Sequence, residues 1–339
     1  MNSKERIEAV LSGLVPDRTP IMLHNFMMAA KESGVTMSQY RSHPETIAMV
    51  HLNAVEKYHY DGVLIDVDTC TLAGAVGVPV DLPDDEPARL SGALLASLEQ
   101  VNDLEMPDIS KDERVQIWLA ACRSIVRQSG GRIYIRGNCD QAAFSLASMI
   151  RGSQDWLMDI FDPSNEQLVH KLLEFSTEVA CRFIDLMSQT GVDMVSNGDS
   201  MASPDLISPD MYRRFALPYE KKIVAYAHKC GKPYMLHICG CVDRIIDDMI
   251  TSGADALELD YKTDITVIHS KCRDRIVFCG NIDPSGVLTL GSSDDVRQKV
   301  SELVELYSDS PRFILNAGCA IPASAPAENI YAMIETANL

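Results

Sequence analysis

The sequence predicts an α/β chain folded as a (β/α)8 barrel with an N-terminal helical extension, and three observations carry that expectation. Eight short runs rich in Val, Ile, Leu and Met recur along the 339 residues, each ending in polar or glycine residues. Helical patterns separate the runs, and apolar strands alternating with helices are the pattern of a buried parallel sheet. The stretch after the first run, HNFMMAAKESG, is not a glycine-rich phosphate turn, so an open doubly wound sheet is disfavoured. Eight such strands close into a TIM barrel.

Taken in order, the strands are expected at Thr19–His24, Gly62–Asp68, Arg132–Asn138 and Val192–Ser200, then at Pro233–Gly240, Ala256–Asp260, Ile276–Asp283 and Phe313–Cys319. Between them, Asn165–Met187 reads as a long amphipathic helix. A helix over Ser208–His228 opens on a serine N-cap with proline at its first position. Asp294–Leu306 is capped by the Ser292-Ser293-Asp294 cluster, and Pro326–Ala337 is the last helix. The acidic, proline-rich VPVDLPDDEPARLSG reads as an excursion over one barrel face, around residues 77–110, because no linker composition flanks it. Residues 1–339 are therefore expected to form a single domain, with no solenoid repeat and no low-complexity segment.

The formal charge of −18 repels a phosphate backbone and argues against nucleic acid as a partner. The N-terminal MNSKERIEAVLSGLVPDRTP has no apolar signal core, and no stretch is long enough to span a bilayer. A cytoplasmic protein without a membrane partner is expected. There the 10 cysteines read as thiols or metal ligands, not as a disulfide framework. Cys122, Cys181 and Cys272 lie in apolar or helical patterns, where a small buried hydrophobe is expected.

Barrel chemistry sits at the C-terminal ends of the strands. Those ends carry His24 and Asn25, Asp66 and Asp68, Arg136 and Asn138, and Asn197 and Asp199; further round come His237 and Cys239, Glu258 and Asp260, Asn281 and Asp283, and Cys319. His237 and Cys239 are two apart on one strand, so their side chains point the same way. Cys319 reaches the same space from the eighth strand. Two thiolates and an imidazole suit zinc and leave one tetrahedral position open, as in catalytic sites. Cys241 shares the parity of 237 and 239 and is a rival ligand, placed second because the strand turns away near Val242. His24, Asn197, Asp199 and Glu258 are candidates for substrate contacts or for orienting a zinc ligand, and a structural role is open for each. Asp260, Asn281 and Asp283 serve equally as caps or loop braces, and Asp66 and Asp68 read as loop braces.

The segments KERIEAVLSGLVPDRTP, LISPDMYRRFALPYEKKIVAYAHKCGKPYMLHICG, FCGNIDP and LNAGCAIPASAPAENIYAMIE resemble the uroporphyrinogen decarboxylase superfamily nearly end to end. Within it they resemble the cobalamin-dependent branch that includes methylcobamide:coenzyme M methyltransferases. That branch binds zinc through a His-x-Cys pair and one distant cysteine, which the resemblance maps onto His237, Cys239 and Cys319. The porphyrinogen decarboxylases carry an arginine-bearing segment after the first strand, whereas HNFMMAAKESG has no arginine. Relatives in the methyltransferase branch also carry an acidic residue shortly before the glycine matching Gly77, and TLAGAVG has none, which leaves the small substrate open.

The resemblance implies a zinc-dependent methyltransferase that moves a methyl group between a corrinoid and a small partner. That partner is a thiol acceptor or an O-, N- or S-methyl donor. The chain shows no Asp-x-His-x-x-Gly cobalt-binding motif, so the corrinoid is expected on a separate protein. Two other readings stand beside it: a decarboxylase, for which Arg136 is the one clear strand-end cation, and a metal-dependent binding protein without turnover.

Overall fold

The computed structural model describes residues 1–338. Eight parallel strands form one sheet: β1 (Met22–Leu23), β2 (Gly62–Ile65), β3 (Tyr134–Gln141), β4 (Met194–Gly198), β5 (Tyr234–Ile238), β6 (Ala256–Leu259), β7 (Val277–Ile282) and β8 (Phe313–Ala317). Neighbours in sequence are neighbours in space, and a parallel bridge from Ile21 to Leu315 joins the first strand to the last. All eight apolar runs therefore become barrel strands. Helices follow each strand, the principal ones being Pro44–Tyr58, Glu113–Ser129, Glu166–Ser188, Leu217–Lys229, Ile246–Ile250, Ile265–Cys272, Ser293–Leu306 and Ala327–Ala337.

The strand pleat sorts the side chains into two cores. Val63, Ile135, Val195, Leu236, Leu257, Phe278 and Leu315 face the helices in the outer core. Their neighbours Met22, Tyr134, Met194, Met235, Ala256, Val277, Cys279 and Ile314 fill the barrel interior. The N-terminal helix Ser3–Leu11, begun by a capping box on Asn2, closes the bottom of that interior with fully buried Ile7 and Val10. Arg6 and Arg18 fix the plug's approach by donating to the buried carboxylate of Asp61.

The helix expected over Ser208–His228 is two helices, Pro209–Phe215 and Leu217–Lys229. Ser208 caps the first as expected. Pro218 has no N–H to donate and its ring crowds the preceding turn, so the path breaks at Ala216. Ser292 caps the helix Ser293–Leu306 through a capping box with Asp295. The excursion after β2 carries a short antiparallel hairpin, Val80–Asp81 with Arg89–Leu90, whose tip carbonyls at Pro83 and Glu86 accept from Arg41. Among the described residues no helix is long and apolar enough to cross a membrane.

Because Ile7 fills the barrel bottom, Ile7→Ala should cost about 2–5 kcal/mol in urea unfolding. Leu14→Ala, at a position 61% exposed, should be nearly silent. Equal effects would mean that the helix does not plug the barrel.

Candidate metal centre

His237 stands one residue before the end of β5 and faces inward, and Cys239 continues the same alternation just past the strand. Cys319 enters from the turn after β8. Two glycines make these turns possible. A Cβ on Gly318 would stand 2.7 Å from the backbone nitrogen of Tyr261, and Gly240 has φ +88 with its Cα pressed toward the Asp205 carboxylate. The Gly240 N–H donates to Asp260 at 2.8 Å, and the Cys239 N–H donates to the Ser200 hydroxyl at 3.3 Å. Both bonds hold the chain that presents Cys239.

The three donor atoms lie within 4.8 Å of one another. His237 Nε2 is 3.0 Å from Cys239 Sγ, and the two sulfurs are 3.8 Å apart. Two sulfurs each about 2.3 Å from a tetrahedral zinc stand about 3.8 Å apart, so the sulfur–sulfur spacing fits the ion. His237 Nδ1 donates to the main-chain oxygen of Glu258 at 3.0 Å, which fixes the tautomer and aims Nε2 at the sulfurs. The thiol of Cys319 beside it, and then His237, hold Cys239 well below the usual thiol range; Cys319, facing that thiolate, is pushed far up. Burial works against a charged His237, but the Cys239 thiolate and the Glu258 carboxylate outweigh it and raise the ring to about 10. Cys241 lies outside the cluster, and its backbone N–H turns to Asp205.

Beneath the triad a buried ion pair spans the interior. Arg136 Nη2 donates to Glu258 Oε2 at 2.7 Å, and Asn316 Nδ2 donates to Glu258 Oε1 at 2.7 Å. Burial opposes ionisation of Glu258, yet Arg136 and the two histidines hold it down at about 2. His24 lies at the mouth, 2.8 Å from Asp66 Oδ2, and Asn138 donates to the other Asp66 oxygen at 2.9 Å.

The expected site residues divide by strand parity. His24, Arg136, Asn138, His237, Glu258, Cys239 and Cys319 come together, and Asp66, read from the sequence as a loop brace, joins them through His24 and Asn138. Asn197 and Asp199 do not reach the mouth. Met194 occupies the barrel interior and Val195 the outer core, so odd positions on β4 face the helices. Asn197 donates to the main-chain oxygens of Cys139 and Gln141 and accepts from Tyr234, stitching the bulge in β3. Asp199 is fully buried behind the wall, accepting from the Ser145 N–H at 2.7 Å beside Glu220. Asp68 binds Arg114 and Thr71, Asp283 holds the Ser285 and Gly286 N–H groups, and Asn281 donates to the Asp260 carbonyl: each is a loop brace. Asn316 and Ser200 were not among the expected residues. Asn316 shares parity with inward Ile314, which was the available signal; Ser200 had none. Cys122 and Cys272 are buried as expected, whereas Cys181 is partly exposed, and all ten cysteines are free.

A closed parallel barrel with two thiols and an imidazole gathered at its C-terminal mouth defines a barrel protein with a soft-metal donor set. The chain belongs to the uroporphyrinogen decarboxylase family, whose sequence profile matches residues 2–338. It is 26% identical over 339 residues to the methylcobamide:CoM methyltransferase MtbA of Methanosarcina mazei, covering 98% of this chain and 97% of that one. It is 23% identical over 338 residues to the uroporphyrinogen decarboxylase of Coxiella burnetii, covering 94% and 90%. A solved methyltransferase from Methanosarcina mazei superposes with a TM-score of 0.91 at 23% identity, covering 100% of this chain and 98% of that one, and so shares the fold.

Burial pushes both Asp199 and Glu220 up, Asp199 to about 6. Acids raised in the folded state bind protons more tightly there than when unfolded. Folding stability should therefore fall as pH rises from about 4, the unfolded value, through about 6. Glu220→Gln, whose amide can donate to Asp199, should flatten that fall in urea titrations at pH 5 and 7.5. An unchanged slope would remove the pair as its source.

Proposed function

We propose that this chain is a zinc-dependent methyltransferase moving a methyl group between a corrinoid and a small molecule. The corrinoid is carried by a separate protein, and the small molecule is a thiol acceptor or a methylated O-, N- or S-donor. The observation that carries the reading is the triad itself: His237, Cys239 and Cys319 with their donor atoms within 4.8 Å at a barrel mouth. The end-to-end similarity to methylcobamide:CoM methyltransferases supports the same reading. It takes residues 1–339 as one barrel domain working in the cytoplasm, with no membrane or nucleic-acid partner.

His237, Cys239 and Cys319 would hold the zinc. Bound there, the ion supplies a Lewis acid that acidifies a thiol or polarises the heteroatom bearing a methyl group. The chain's own residues supply position. The Glu258 carbonyl sets the His237 ring, and Ser200 and Asp260 hold the backbone on either side of Cys239. Arg136 Nη2 pairs with Glu258, whose other oxygen accepts from Asn316, while Arg136 Nε and Nη1 are buried without a partner among the described residues. A decarboxylase gripping several substrate carboxylates needs free cations at the mouth. Among the described residues the inward strand positions offer Arg136, and it is paired with Glu258.

The purified protein should contain about one zinc per chain by elemental analysis and should transfer methyl groups between methylcobalamin and members of a thiol panel. Cys239→Ala and Cys319→Ala should lose the zinc and slow transfer by roughly 1000-fold or more, while Cys241→Ala keeps both. A wild type that neither contains nor takes up zinc would overturn the reading and restore the decarboxylase.

A further inference from the structure

The function proposed above, in its thiol-acceptor form, leaves one proton unassigned. A thiol that enters as R–SH must lose its proton before its sulfur can act as a nucleophile. The groups closest to the incoming sulfur are poor acceptors. Cys239 and Cys319 are committed to the metal, His237 has Nδ1 bound to a carbonyl and Nε2 aimed at the sulfurs, and Glu258 is closed off by Arg136 and Asn316.

His24 stands apart from these. The strand that precedes it, β1, is joined to β8 by the bridge that closes the barrel, and the His24 main-chain oxygen accepts from Ile321, two residues past Cys319. It therefore sits on the rim beside the turn that presents Cys319. Nε2 lies 2.8 Å from Asp66 Oδ2, so with Asp66 ionised Nε2 carries the proton and donates it. Asp66 is in turn fixed through Oδ1 by the Asn138 side chain and the Val67 N–H, both at 2.9 Å. The ring stacks on Phe26 with centroids 5.5 Å apart. The one side-chain hydrogen bond of His24 is made through Nε2, which leaves Nδ1 without a hydrogen-bond partner among the described residues, on a side chain 13% exposed. A base oriented by a carboxylate, with its second ring nitrogen unpartnered and its backbone tied to the turn that presents Cys319, is the arrangement that general-base catalysis requires.

We propose that His24, oriented by Asp66, is the general base that deprotonates the incoming thiol. In the step the S–H bond breaks with its electron pair left on sulfur, and an N–H bond forms at His24 Nδ1. The ring becomes an imidazolium facing the Asp66 carboxylate, which keeps its charge, and the proton leaves to solvent from the exposed edge. His24 is the catalytic residue of this step, and Asp66 and Asn138 are positioning residues.

The inference rests on the thiol-acceptor form of the proposed function, and its test separates the two. Cobalt(II) is placed in the metal site, and 2-mercaptoethanol is mixed in without any corrinoid. The increase in thiolate-to-cobalt charge-transfer absorption, above that already given by Cys239 and Cys319, is then followed by stopped flow. In His24→Gln, whose amide can still donate to Asp66, the band should rise roughly 100-fold more slowly but reach the wild-type amplitude. Asp66→Asn should slow it less. The difference should shrink toward nothing with the more acidic 2,2,2-trifluoroethanethiol, and added imidazole should restore the rate in His24→Gln. A band that rises at the wild-type rate in His24→Gln with both thiols overturns the base and leaves the metal-site reading standing. So does a loss of amplitude matched by lost cobalt, which makes His24 a structural residue. A wild type that takes up cobalt but shows no such increase with either thiol overturns the thiol-acceptor reading and the base together.

Discussion

The interior of this barrel is organised by one ion pair. Arg136 on β3 and Glu258 on β6 meet at 2.7 Å with both side chains 2% exposed, and Asn316 completes the carboxylate from β8. Removing one partner of such a pair leaves a buried charge and costs about 3–5 kcal/mol, so the members are held together more firmly than surface pairs. The candidate metal triad is built on that platform. Glu258 stands opposite His237 in the register of β5 and β6, and its own carbonyl fixes the His237 ring. The residue that neutralises Arg136 is thus also the residue that aims the imidazole.

The same geometry divides the chain's polar groups into two populations. Inward positions meet at the mouth, where His24, Asp66 and Asn138 form one chain of hydrogen bonds and the triad another. Outward positions are spent on the wall, as with Asn197 across the β3 bulge and Asp199 against the Ser145 N–H. A barrel mouth with a neutral floor and three soft donors favours chemistry at sulfur or at a methyl-bearing heteroatom over the gripping of a polyanion. That distinguishes the proposed activity from the decarboxylation after which the family is named.

Most of this is legible in the sequence, for identifiable reasons. The eight strands are apolar on both faces and bounded by polar residues, so each run announces itself. The His237–Cys239 pair is visible because a two-residue step keeps one face, and Cys319 because a soft donor stands in a glycine turn. What the sequence leaves undetermined is absolute parity. Asn197 and Asp199 look like mouth residues until Met194 is seen to point inward, and a one-residue offset moves both to the other side of the wall. Asn316 escapes because it reads as an ordinary strand residue in FILNA; its role appears only when Glu258 arrives from a strand 58 residues away. The break at Ala216 is written in Pro218, but the strong serine cap and unbroken apolar spacing mask it.

The most direct test of the central claim is X-ray absorption at the zinc edge of the purified protein. The account predicts a shell of two sulfurs at about 2.3 Å and one histidine nitrogen at about 2.0–2.1 Å, with a fourth, light-atom position. A shell without sulfur, or one of four sulfurs, would contradict an open site formed by His237, Cys239 and Cys319.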